Sequence, residues 1–132
     1  MRKATSTNTQ NAKQLTANCP ILSTFHLLGG RWKIALIWNI AQDINRFSLL
    51  RNQLPGLSQK MLGQQLKELE QDGFIGKTIF AEVPPRTEYY LAELGQSLLP
   101  LLAQVYDWGL AHNLTQRVQE RYEAEAASQS AR

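Results

Sequence analysis

Between Phe47 and Leu91 the hydrophobic period changes once, from helical to strand-like, and that change leaves few folds open to the chain. SLLRNQL and SQKMLGQQLKELEQ carry apolar residues at helical spacing on either side of the turn-forming LPG. FIGKTIF and TEYYL follow as short runs rich in β-branched and aromatic residues. The AEVPPR between them predicts a hairpin with a stiff, proline-bearing tip. Ser48 is expected to cap the shorter helix and Ser58 the longer one, with Gly73 as its stop.

Upstream, Cys19-Pro20 opens a helix bearing Ile21, Leu22, Phe25 and Leu28, ended by Gly29-Gly30. RWKIALIWNIA is apolar on nearly every side, which predicts a helix surrounded by others, and INRF is short enough for one small strand. A long helix is expected from Glu93 to about residue 112, bent at Pro100. The order of helix, helix, short strand, helix, turn, helix, hairpin and long helix describes a winged helix-turn-helix: mainly α, with a small β-hairpin wing.

The expected organisation is a flexible, basic tail over residues 1–18, a winged-helix and dimerisation domain over 19–112, and a helical or frayed tail over 113–132. The polar, Thr/Asn/Gln-rich start lacks the apolar run of a secretory signal, and no stretch has the length of a membrane span. A single cysteine excludes an internal disulfide and suits a reducing compartment. The expectation is a cytoplasmic protein with no membrane partner.

Charge is informative by position. The formal total is +3, yet residues 44–67 hold Arg46, Arg51, Lys60 and Lys67 with no acid, and Glu68, Glu70 and Asp72 follow at once. A solvated surface would explain such a block as well as a polyanion partner would, on charge alone. The helical wheel adds direction. Leu62, Leu66 and Leu69 fall on one arc, while Gln59, Lys60, Gly63, Gln64 and Lys67 fall on another without acid or large apolar side chain. Gln pairs bidentately with an adenine edge, Lys donates to guanine or phosphate, and Ser58 with the free amides of the first turn favours an anion. For an isolated helix these would be ordinary exposed helix formers. Between a short helix and a hairpin, they read as a DNA-contacting face.

Arg46, Ser48 and Arg51 surround the start of the preceding helix, where side chains grip phosphates without reading sequence. Arg86, beside Pro84-Pro85, is placed to meet a minor groove or the backbone from the wing.

Cys19 stands at a helix start, where the macrodipole favours the reactive thiolate, and is a candidate redox sensor; simple packing is the plainer reading. His26 shares its helix side, but two ligands make no metal site, and no cofactor is expected. The sequence holds no nucleophile with a base and no phosphate loop, and Asp43, Glu82 and Glu88 have nothing evident to couple to, so an enzyme is not expected. The long helix carries Leu98, Leu99, Leu101, Leu102, Val105, Tyr106 and Trp108 over more than half its circumference. That excess predicts a two-fold dimer through this helix and the first, with Ile21, Leu22, Phe25, Leu98, Leu101, Leu102, Val105 and Trp108 as contacts. A C-terminal tail folded back over the helix is the alternative.

The strings CPI…LLGGRWK, RFSLLRNQLPGLSQKMLGQQLKELEQDGFI, EVPPRTEYYL and LGQSLLPLLAQVYDWG together resemble the HxlR-type bacterial winged-helix regulators, relatives of the MarR group, from Cys19 to about residue 112. The resemblance implies a homodimer on (pseudo)palindromic double-stranded operator DNA, with the helix after Ser58 in the major groove and the hairpin around Arg86 as the wing. It also implies a small electrophile or oxidant as candidate inducer, sensed in several members by the cysteine matching Cys19. Two positions depart from the family pattern. Gly63 replaces a common Thr or other small polar residue, and Ala92 replaces a capping Thr, which predicts a frayed start to the long helix. The rival reading is a winged helix that binds only proteins, through its hairpin or long helix.

Overall fold

The computed structural model describes residues 7–131. Its elements are α1 (Thr7–Asn18), α2 (Pro20–Leu28), α3 (Lys33–Ala41), α4 (Phe47–Gln53), α5 (Gln59–Gln71), β1 (Ile75–Phe80), β2 (Arg86–Leu91), α6 (Glu93–Ala111) and α7 (Leu114–Ser130). The winged helix-turn-helix is present, without the short strand expected before α4. The chain divides into two compact units, Met1–Gln96 and Ser97–Arg132, so the division falls inside α6 and not at either end of that helix.

In the first unit the core comes from the faces that the helical period marks out. Leu36, Ile37 and Ile40 of α3, Leu50 of α4, and Leu62, Leu66 and Leu69 of α5 are all buried. Leu28 at the end of α2, Leu54 and Leu57 from the inter-helix turn, Phe74, Ile75 and Leu91 complete it. α3 packs against α5 and β2, and α5 packs against β1. RWKIALIWNIA is central along one side only, since Ile34 is 38% exposed.

Local chemistry sets the joints. Pro20 occupies the first turn of α2, where its missing N–H leaves no bond unmade. The LPGLS turn closes with Leu57 N–H donating to the Leu54 carbonyl at 3.2 Å, and Gly56 there takes φ +91°, a region that side chains disfavour. Ser58 caps α5, its hydroxyl accepting from Met61 N–H at 3.1 Å. Gly73, at φ +84°, ends that helix and turns the chain into the wing. The wing is a two-stranded antiparallel sheet with Ile75 opposite Leu91 and Phe80 opposite Arg86.

Four local expectations are corrected. Residues 7–18 are helical, not a flexible tail: AKQL is made of good helix formers, and α1 packs on α2, with the Ser23 hydroxyl donating to the Thr16 carbonyl. Arg2 and Lys3 of the expected basic tail lie outside the described residues. Ser48 does not cap α4; the extended residue before that helix is Arg46 (φ −113°, ψ 151°), which leaves Ser48 exposed within the first turn. INRF forms no strand, although the Asn45 carbonyl accepts from Tyr89 N–H at 2.8 Å and so ties this segment to the wing. The start of α6 is ordered despite Ala92. Gln96 N–H donates to the Ala92 carbonyl at 2.9 Å, and the Gln96 side-chain amide donates to the Leu91 carbonyl at 3.1 Å, tying the first turn to the end of the wing.

In the second unit, α7 continues the chain as a regular helix with no buried residue. It does not cover the apolar side of α6: Leu101, Val105, Tyr106 and Trp108 are all at least half exposed. Leu102, expected in an intermolecular contact, is instead buried within the chain, and Leu98 is half-buried. No helix of the described residues is long and apolar enough to cross a membrane.

Candidate nucleic-acid interface

α5 turns its three buried leucines inward, which forces Gln59, Lys60, Gly63, Gln64 and Lys67 outward, and all five are exposed. A Cβ added at Gly63 would meet nothing within 4 Å. The fold therefore does not require glycine there; the position is open space on the outward face.

Of the acids that follow the block, Glu68 and Glu70 are paired within the protein, while Asp72 at the end of α5 is exposed and makes no ion pair with any described residue. Glu68 takes an ion pair from Lys33 Nζ at 2.8 Å, and Gln64 Nε2 donates to its other oxygen at 3.5 Å. The Lys33 hydrogen bond, and then its charge, hold the Glu68 carboxyl below the usual carboxylate range. Glu70 pairs with Lys77 at 3.4 Å, and Glu82 with Arg86 at 3.5 Å. Arg51, Lys60 and Lys67, by contrast, make no ion pair with any described residue, and all are exposed. Three of the four cations in the acid-free block, Arg51, Lys60 and Lys67, thus stand unpaired among the described residues, next to Glu68 and Glu70, which are paired.

Two predicted contacts are not free in the way the sequence suggested. Arg46 Nη2 lies 3.2 Å from Glu88 Oε1, and Arg86 Nε lies 3.4 Å from the same oxygen. The Arg86 guanidinium also stacks 4.2 Å above the ring of Phe80, the residue opposite it in the last strand pair before the tip loop, so it is held against the strands. Glu88 and Glu82, read from sequence as uncoupled, are both engaged. Their partners include a residue 42 positions away, a distance at which no helical or strand periodicity gives a signal.

Cys19 is the residue before α2, half-buried, with extended backbone and no side-chain capping bond. His26 lines a groove between α1 and α2 together with Lys13, Thr16 and Ser23. No group of three or more His, Cys, Asp or Glu among the described residues is arranged to hold a metal.

The family model described as HxlR-like helix-turn-helix matches residues 27–117, which take in α3, α4, α5, the wing and α6. The chain belongs to the HxlR-like helix-turn-helix family. Within it, the HTH-type transcriptional regulator YdeP of Bacillus subtilis is 40% identical over 91 residues, 69% of this chain and 71% of YdeP. The crystal structure of YtcD, an HTH-type transcriptional regulator of the same organism, is 38% identical with a TM-score of 0.66, covering 71% of this chain and 96% of that one. HypR, a redox regulator, is similar in its reduced form at 36% identity and TM-score 0.67, covering 72% of this chain and 94% of that one. Its oxidised form gives 38% and 0.64, with 70% and 96% covered. This chain is accordingly a winged-helix transcriptional regulator of the HxlR type. α1 and most of α7 lie outside the span that matches the HxlR family model, and so does Cys19.

Proposed function

We propose that the chain binds double-stranded operator DNA as a homodimer and reads it with the outward face of α5. Gln59, Lys60 and Gln64 reach base edges in the major groove. Ser48, Arg51 and Lys67, with Ser58 and the free amides at the start of α5, hold phosphates, and the wing around Arg86 touches the adjacent backbone. Arg46 takes a phosphate with the part of its guanidinium that Glu88 leaves unused. The observation that carries this reading is the exposed, unpaired set of Arg51, Lys60 and Lys67 across α4 and α5, beside Glu68 and Glu70, whose charges Lys33 and Lys77 take up. Sequencing the duplexes that the protein retains from a random pool tests the reading, because a sequence-specific reader enriches a motif and a protein-docking module does not.

The dimer is supported by exposed apolar side chains in both units: Ile21 and Phe25 on α2, each about two-thirds exposed, and Leu101, Val105 and Trp108 on α6. Leu22 is exposed as well, whereas Leu102 is left out of the proposed contact because it is already buried.

Control of DNA binding through Cys19, by oxidation or by alkylation with an electrophile, is supported by its place at the start of α2 and by the likeness to a redox regulator. Cys19→Ser is expected to remain on DNA when treated with a peroxide or quinone that releases the unaltered protein. Release of the Ser variant under the same treatment would remove Cys19 from the mechanism.

A further inference from the structure

We propose that Glu88 is a positioning residue for DNA binding, a single carboxylate that sets two arginines on different elements so that the wing and the start of α4 act as one phosphate clamp. The inference rests on the DNA-binding reading above. One oxygen, Glu88 Oε1, faces both Arg46 Nη2 at 3.2 Å and Arg86 Nε at 3.4 Å. Arg46 is the residue from which α4 starts, and Arg86 opens β2, so the carboxylate bridges the helix-turn-helix and the wing. Two further contacts make the bridge rigid. Tyr89 N–H, next to Glu88, donates to the Asn45 carbonyl at 2.8 Å, next to Arg46. On its other side Arg86 is fixed by the Phe80 ring at 4.2 Å and by Glu82 at 3.5 Å.

A guanidinium has five donors in a planar fork. Glu88 Oε1 accepts a hydrogen bond from Arg46 Nη2, whereas Arg86 Nε meets the same oxygen as an ionic contact at 3.4 Å without a hydrogen bond, and Arg86 Nη1 faces Glu82. Glu88 therefore orients each fork while leaving most of its donors for phosphate oxygens. Arginines fixed before binding lose less side-chain freedom on DNA than arginines that must be ordered there. An acid in a DNA-facing wing is otherwise unfavourable, because it repels phosphates.

That opposition gives the experiment its sign. The readout is binding to a fluorescent, mixed-sequence duplex across a salt series, for the full-length protein and for Glu88→Gln, which keeps the shape and removes the charge. Charge alone makes the variant bind more tightly. Positioning makes it bind about tenfold more weakly, as expected when hydrogen-bonded charged contacts are lost, with a salt dependence shallower by about one or two phosphates. Tighter or unchanged binding with an unchanged salt slope would overturn the proposal. If Glu88→Gln does not fold, Arg46→Ala, Arg86→Ala and the double variant provide the same test with Glu88 in place. Residues set by one carboxylate are expected to be non-additive, and simple additivity would overturn the proposal. Failure of the unaltered protein to bind any duplex at low salt would instead overturn the DNA-binding reading on which the proposal stands.

Discussion

Leu66→Ala is expected to lower the stability of the folded chain by about 2–5 kcal/mol, the range for truncating a fully buried leucine when the cavity only partly collapses. Leu66 is 2% exposed and lies between Leu62 and Leu69, both fully buried, on the side of α5 that packs against α3 and β1. The loss would thus fall on the joint that carries both the recognition helix and the wing. A urea titration followed by circular dichroism measures it. A change below about 1 kcal/mol would mean that α5 is not anchored by this face. The prediction concerns folding alone, and it separates the two sides of one helix, since Gln64→Ala on the opposite side is expected to leave stability within about 0.5 kcal/mol of the original.

The second large effect belongs to that opposite side. Gln64→Ala is expected to cost about 1–3 kcal/mol in operator affinity and to relax the preference at one base position. Arg51→Ala is expected to weaken all sequences nearly equally and to lower the salt slope by about one. The difference follows from position. Gln64 is on the face proposed to enter the groove, restrained by its 3.5 Å bond to Glu68, whereas Arg51 is in the last turn of α4 with no ion-pair partner among the described residues. Competition gel-shift titrations against duplexes substituted one base pair at a time distinguish them. If the two variants lost affinity in the same way at every position, Gln64 would be a backbone contact and the assignment of base reading to it would be wrong.

What was legible in the sequence was whatever depends on near neighbours. The Ser58 cap, the Gly73 stop, the Pro20 start and the hairpin with its Val83-Pro84-Pro85 tip all follow from residues within a few positions of one another. The outward face of α5 was legible for the same reason, since three leucines at helical spacing fix its rotation. Partners distant along the chain were not. Lys33 with Glu68, and Arg46 with Glu88, meet only because α3, α5 and the wing pack together. Reading the charges along the chain gave the correct acid-free block, yet it counted Arg46 and Arg86 as free and Glu88 as idle. The helix α1 was missed for a different reason. Its polar composition signals disorder, and what holds it is its packing on α2, including a hydroxyl-to-carbonyl bond between Ser23 and Thr16. Gly63, which departs from the family pattern, faces open space, so the fold accommodates it without needing it.

The central claim is that a dimer of this chain reads duplex DNA by sequence through α5, and selection from a random duplex pool tests it most directly. Enrichment of a motif made of two inverted half-sites, their centres about 10 base pairs or one helical turn apart, is the expected result, because two copies related by a two-fold axis place two α5 helices in successive major grooves. A pool that remains unenriched after repeated rounds, or a single half-site without its inverted partner, would contradict it.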